Sequence, residues 1–324
     1  MRERLIQQIQ ARGPMPFDEY MEWCLYDPHE GFFSAGPVRS GKKGDFVTSP
    51  EISWTFGVPI GEWAEKSAPS PQAALIEVGS GTGSLLAQIA DIWTMDRDLV
   101  FAVERSASAR HHIAEHFDGV IVTETMNEIP AGIDAVVVAN EVLDNMPAAL
   151  ARRVEGGWVE IAVDVEGDVF VLVDVPARVE VLFWCDDIFT GAHEGAVVSV
   201  QMGISSWIAT LFERFAMVSL CLIDYGGSAE ELAARDPESV VRTYRKHQSG
   251  IDWLQHPGEF DVTVDVNSNG VVNAIARSGH DARVMSQRAF CLDYGLGEVI
   301  DDARAGEQIA ASAGQVMSQL ENRS

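Results

Sequence analysis

The sequence predicts an α/β protein: a doubly wound, mostly parallel sheet with a helical N-terminal region and an inserted antiparallel segment. Three observations predict it. Short apolar runs alternate with helix-patterned segments between residues 73 and 140. The first run enters a turn with three alternating glycines, "EVGSGTGS". A block of period-two alternation then interrupts the pattern before the strand–helix order resumes.

The elements follow in order. "AALIEV" is a strand, and "GSLLAQIADIW" a helix with apolar residues at helical spacing. "LVFAVE" is a strand, "SASARHHIAEHF" a helix that Ser106 is placed to cap, and "GVIVTE" a strand. "DAVVVAN" is a fourth; such unbroken apolar runs suit strands buried on both faces. "RRVEGGWVEIAVDVEGDVFVLVDV" reads as an antiparallel meander turning at Gly156–Gly157 and Gly167–Asp168. "ISSWIATLFERF" returns to helix and "MVSLCLIDYGG" is a fifth core strand. "FDVTVDV", "SNGVVNAIARSG" and "DARVMSQ" are read as strand, helix and strand completing the sheet, and "GEQIAASAGQVMSQLE" as a closing helix. The loop "SAPSPQ", Ser67 to Gln72, sets the domain division. Residues 1–66 are a helical cap contributing to the site, and 67–324 the core with an insertion at about 148–198. The insertion is read as a lid or as a contact between two copies in a homodimer.

Composition narrows the function. The 324 residues are 47% hydrophobic and 22% charged, an ordinary globular balance. A formal charge of −26 excludes nucleic-acid binding through a general basic surface and would attract cationic partners. Glu213 and Arg214 interrupt the best membrane-helix candidate, so no membrane partner is expected. Cys24, Cys185, Cys221 and Cys291 are far apart without CxxC spacing. His111, His112 and His116 have helical spacing but no carboxylate partner pattern, and read as a solvated helix face. No metal is expected. The cysteines suit a reducing compartment, and "MRERLIQQIQ" lacks the apolar core of a signal peptide, so a cytoplasmic protein is expected.

The glycine turn carries the first chemistry. Gly79, Gly81 and Gly83 allow positive φ and close ligand approach, and the helix that follows offers free N–H groups. No GKS or GKT follows, which excludes a P-loop, and the spacing is GxGxG rather than GxGxxG. Glu104 ends the next strand about 25 residues on, placed for the two hydroxyls of a ribose. Glu77, the glycines and Glu104 together resemble the S-adenosylmethionine (SAM) site of class I methyltransferases; a nicotinamide dinucleotide site is the alternative.

Further stretches extend that resemblance. "PFDEYMEWCLYDPHEGFFSAG", "GKKGDFVTSPEISWTFGVPIGEW", "VANEVLDNMP", "LCLIDYG", "VRTYRKHQSGIDWLQHPGEFDVTVDV" and "MSQRAFCLDYGLGE" occur in this order. In this order they resemble the MidA-like family of SAM-dependent methyltransferases, which includes a mitochondrial complex I assembly factor that methylates arginine. The resemblance implies a class I, Rossmann-like SAM-methyltransferase sheet and a cofactor set of Glu77, Gly79, Ser80, Gly81, Gly83, Glu104, Arg105, Met126, Asn127 and Asn140. Asp45, Thr48 and Ser49 of "GDFVTSPE" could fold over the cofactor; a helix cap at Ser49–Pro50 is the alternative. "YRKHQSG", "VDVNSN" and "NMPAAL" depart from the family pattern near the expected acceptor pocket. Free arginine or a related guanidino metabolite therefore stands beside protein arginine as substrate.

The stretch "VVVANEVLDNMP" supplies the remaining candidates. Two carboxylates where a core strand ends are poor core material and good guanidinium ligands, because a carboxylate pairs with the planar fork through two parallel hydrogen bonds. If a helical turn begins there, Glu141 and Asp144 project from one face. Glu141 is expected to hold the guanidinium and Asp144 to assist, with Asn140 fixing the pocket floor. Tyr225, Tyr244 and His247 are expected around the substrate. Capping of a helix by Asp144 and Asn145 is the plain alternative. Two other functions stay open from the residues: a scaffold that keeps the SAM fold without turnover, and an NAD-dependent oxidoreductase.

Overall fold

A computed structural model describes residues 1–35, 56–244 and 253–295. In chain order the strands are β1 (Met15–Pro16), β2 (Ala74–Val78), β3 (Val100–Val103), β4 (Ile121–Thr123), β5 (Ala135–Asn140), β6 (Ala149–Val154) and β7 (Gly157–Glu166). They continue with β8 (Val169–Pro176), β9 (Val197–Val200), β10 (Val218–Ile223), β11 (Gly226–Gly227), β12 (Val241–Tyr244), β13 (Asp261–Val264) and β14 (Val266–Asn267).

The first layer is a five-stranded parallel sheet in the order β10-β5-β2-β3-β4. Its central strands are mostly apolar because both faces are covered, with Glu77 and Asn140 near the carboxyl ends of β2 and β5. Leu75, Val100, Ala102, Val136 and Val138 pack with Leu85, Leu86 and Ile89 of the helix Ser84–Ile92. The alternate residues Ile76, Phe101, Ala135 and Val137 pack with Leu211 of the helix Met202–Arg214. Burying each of the larger of these side chains stabilises the fold by about 1.5–3 kcal/mol. The strands all end on one edge, and the order reverses between β2 and β5. That edge is where an open α/β sheet takes its ligand.

The second layer is antiparallel, with β1-β7-β6-β9 in order and β8 on the other side of β7. The two-residue turns at 155–156 and 167–168 form the expected meander. Gly156 and Gly167 lie at φ 83° and 64°, where a side chain would be strained. The layer is larger than the pattern predicted. It gains β9 by pairing Ala149 with Val200, and β1 by pairing Met15 with Val163.

That pairing ties the N-terminal region to the insertion. The helices Arg2–Arg12 and Phe17–Tyr26 bury Leu5, Phe17, Tyr20 and Leu25 against Leu150, Ile161 and Val163 of the meander and Phe260 and Val262 near β13. The N-terminal helices and the insertion therefore share one core. The helix Gly57–Ser67 instead packs on Ser84–Ile92; a Cβ on Gly61 would stand 2.7 Å from Ile92 Cδ1.

Other expectations need correction. Among the described residues β13 pairs only with β12, antiparallel, and residues 281–286 are irregular before the helix Gln287–Asp293, so "DARVMSQ" adds no strand. Its larger apolar residues, Val284 and Met285, are adjacent and so point to opposite faces of any strand, and Val284 is 63% exposed. The predicted closing helix lies outside the described residues. Ser106 does hold the N-cap position of Ala107–His116, but its hydroxyl contacts Ser108 Oγ at 3.1 Å and caps no backbone group.

Candidate active site

The carboxyl edge of the parallel sheet brings together the turns after β2, β3, β4, β5 and β10. After β2, Gly79, Gly81 and Gly83 have φ values of 70°, 53° and 78°. Gly79 N–H donates to Val103 O at 2.8 Å, which fastens the turn to β3. A Cβ on Gly79 would stand 2.7 Å from Val142 Cγ2, so the glycine turn and the turn after β5 are in contact. Ser80 is buried and its hydroxyl donates to Glu77 O at 3.1 Å.

Glu104 follows β3. Its carboxylate accepts the Gly81 N–H at 2.9 Å and the Ser106 N–H at 2.7 Å, one on each oxygen. Each oxygen keeps a second lone pair. Burial nevertheless holds its carboxyl above the usual range. Glu77, beneath the turn, is pushed up to about 8 by burial, and its Oε2 has no hydrogen-bond partner among the described residues. Asn140 ends β5 with a buried, likewise unpartnered Oδ1. Positive-φ glycines, a ribose-suited carboxylate and unspent buried acceptors on one edge fit an adenosyl cofactor with a cationic amino-acid end. Met126 is half-buried and Asn127 exposed in the single 3-10 turn Met126–Glu128 after β4. Arg105 turns to the N-terminal helices: it donates to Glu22 Oε1 at 2.8 Å and lies over the Tyr26 ring at 4.1 Å.

The turn after β5 holds the acids. It is not helical, so the helical-spacing argument for Glu141 and Asp144 fails, and with it the alternative that Asp144 and Asn145 cap a helix. Glu141 stands at φ 53°, the lone positive φ outside glycine among the described residues. That conformation costs on the order of 1–2 kcal/mol and bends the chain directly after the strand. The turn is then held on all sides. Asp224 Oδ2 accepts the Leu143 N–H at 2.8 Å and the Asp144 N–H at 3.2 Å. Three successive carbonyls are bound by three elements: Leu143 O by Gln201 Nε2 at 3.0 Å, Asp144 O by Val264 N–H at 3.0 Å, and Asn145 O by the Tyr26 hydroxyl at 3.1 Å.

Four carboxylates converge there. Asp144 is 6% exposed, with Oδ1 unpartnered among the described residues. Burial, then Asp224, Asp261 and Glu141, push its carboxyl well above the usual range. Asp224 is pushed up to about 6, mainly by burial. Asp261 accepts from Asn145 Nδ2 at 2.8 Å. Arg242 is the cation nearest in influence to Asp144, but it is paired with Asp265, which also takes Arg235. Tyr225 and Tyr244 lie at the rim, 55% and 37% exposed, and the Arg242 guanidinium is 5.8 Å from the Tyr225 ring. Asp45, Thr48, Ser49 and His247 lie outside the described residues. Sequence reasoning missed Asp261 and the anchoring role of Asp224. Asp224 had a signal, an acid at a core-strand end; Asp261 follows Phe260 as ordinary strand alternation.

Among the described residues no group of three or more histidine, cysteine or acidic side chains is arranged to hold a metal, and no helix is long and apolar enough to cross a membrane.

Comparison with known proteins agrees with this geometry. A family model of S-adenosyl-L-methionine-dependent methyltransferases matches residues 59–286. A COG1565 superfamily member from Burkholderia thailandensis, bound to S-adenosyl-homocysteine, superposes with a TM-score of 0.81 at 28% identity, over 93% of this chain and 82% of that one. The Drosophila melanogaster protein arginine methyltransferase NDUFAF7 homolog, mitochondrial, is 27% identical over 82% of this chain and 67% of its own. The Homo sapiens protein arginine methyltransferase NDUFAF7, mitochondrial, is 25% identical over the same shares. These mitochondrial relatives overturn the expectation of a cytoplasmic protein: buried cysteines, which all four here are, suit any reducing compartment. The matched span runs from the helix before the glycine turn to the segment after β14, and the chain belongs to this family of SAM-dependent methyltransferases.

Proposed function

We propose that the protein transfers the methyl group of SAM to a guanidino nitrogen of a protein arginine. The observation that carries the reading is the convergence of Glu141, Asp144, Asp224 and Asp261 beside the glycine turn. Four acids cannot all stay ionised in a buried site without a cation. A guanidinium is a cation whose planar fork matches carboxylates, and it stays charged at working pH.

SAM supplies an electrophilic methyl on a sulfonium. The glycine turn and Glu104 hold its adenosyl part, Met126 and Asn127 flank the base, and Glu77, Ser80 and Asn140 face its amino-acid end. Glu141 pairs with the guanidinium and draws positive charge onto the nitrogens that are not attacked. The free nitrogen forms the N–C bond in line as the C–S bond breaks, with the electron pair left on sulfur. The proton released from that nitrogen passes to Asp144 Oδ1, which burial and its acidic neighbours make more basic than an ordinary carboxylate. Tyr225 and Tyr244 wall the entrance.

Protein arginine is favoured over free arginine by the relatives' names and by the exposed aromatic rim. Transfer from radiolabelled SAM to an arginine peptide, its lysine counterpart and free L-arginine tests this. Label is expected on the arginine peptide alone. Transfer to free arginine alone would assign a metabolite substrate, and transfer to lysine would remove the guanidinium reading.

A further inference from the structure

The turn that carries the acids is anchored at three carbonyls, and one anchor comes from outside the sheet. Tyr26, the last residue of Phe17–Tyr26, donates its hydroxyl to Asn145 O at 3.1 Å. The same ring carries the Arg105 guanidinium at 4.1 Å and stacks on Phe33 with centroids 5.9 Å apart. Arg105 directly follows Glu104 and is held from its far side by Glu22, about one turn back along the tyrosine's own helix. One side chain of the N-terminal region thus touches both halves of the site: the residue after the ribose acid and the residue after Asp144.

We propose that Tyr26 is a positioning residue that couples the cofactor half of the site to the acceptor half, through its hydroxyl on the Asn145 carbonyl and its ring beneath the Arg105 guanidinium. Only the acceptor half of this statement rests on the arginine reading. The other carbonyl anchors, Gln201 and Val264, bond the acid turn and make no hydrogen bond to the β3 end among the described residues. The Tyr26 hydroxyl is suited to the task because burial raises its pKa above the ordinary tyrosine value, with Arg105 opposing, so it remains a donor. A guanidinium over a ring contributes little at an exposed site, and more once desolvated. A filled ribose site orders Glu104 and its neighbour Arg105, fixes the ring, and through the hydroxyl fixes the carbonyl next to Asp144. Arg105, expected from sequence among the cofactor residues, acts in this account through Tyr26.

The test is hydrogen–deuterium exchange of residues 141–146 with and without S-adenosylhomocysteine, which reads the coupling whatever the acceptor is. In the parent protein, cofactor product is expected to slow exchange in this segment. In Tyr26→Phe, that slowing should be clearly reduced, leaving what the Gly79–Val142 contact transmits, while the dissociation constant for S-adenosylhomocysteine changes less than about twofold. In turnover, kcat should fall about tenfold with the KM for SAM unchanged. Protection undiminished in Tyr26→Phe, or absent from the parent protein, would overturn the proposal. If the phenylalanine variant does not fold, Glu22→Gln releases Arg105 at the surface and should weaken the same protection; undiminished protection there would equally overturn it. Failure of the arginine reading would appear separately, as a parent protein that shows the coupling but methylates no arginine.

Discussion

Asp224 Oδ2 accepts the backbone N–H of Asp144 at 3.2 Å, so the end of β10 holds the turn that leaves β5, and one acid's carboxylate orients another. Burial raises the pKa of both carboxyls, and the charge of Asp224 raises that of Asp144 further. Because Asp224 rises from its usual 3.8 to about 6, its contribution to stability is full below about 4 and is lost as pH climbs through about 6. A bound guanidinium reverses that loss. The thermal shift produced by an arginine peptide should therefore grow between pH 4 and 6, and kcat/KM should rise through about 6. Asp224→Asn should move this rise to lower pH, because Asp144 loses its closest like charge. Scanning calorimetry and a pH–rate profile measure both effects.

Glu141→Gln keeps the shape and the hydrogen-bonding length of the side chain but removes its charge. Turnover should fall by about 10²-fold or more, with S-adenosylhomocysteine affinity unchanged by calorimetry. A variant with parent activity would remove Glu141 from the chemistry.

Gly79→Ala places a methyl 2.7 Å from Val142 Cγ2 at φ 70°. The backbone alone costs about 1–2 kcal/mol, and the clash displaces the turn that binds the cofactor. Urea unfolding should show a loss of at least that size, and SAM affinity should fall about tenfold or more.

Asn145→Ala removes the amide that donates to Asp261 Oδ1 at 2.8 Å in a buried position. The expected destabilisation is about 1–3 kcal/mol at neutral pH. Urea unfolding of the variant against the parent protein measures it.

Legibility differed with the range of the interaction. The parallel sheet was readable because each strand is a local apolar run bounded by turns, and the cofactor edge because Gly79, Gly81 and Gly83 need positive φ whatever surrounds them. The acid turn was readable as chemistry and misread as geometry. Spacing at i and i+3 suggested a helical face, but the turn is held by Asp224, Gln201, Tyr26 and β13, four partners far apart in the sequence. The pairing of β1 with β7, and so the sharing of one core by the N-terminal helices and the insertion, likewise has no local signal. "DARVMSQ" offers Ala282, Val284 and Met285, too little apolar surface on one side to bury a face.

The central claim is that the four acids beside the glycine turn bind a guanidinium next to the SAM methyl. A crystal structure with S-adenosylhomocysteine and an arginine peptide tests it most directly. The account predicts the guanidinium hydrogen-bonded to Glu141, with one nitrogen facing the cofactor sulfur and Asp144 Oδ1 within hydrogen-bonding reach of it. An arginine side chain bound elsewhere, with Glu141 turned away from it, would contradict the account.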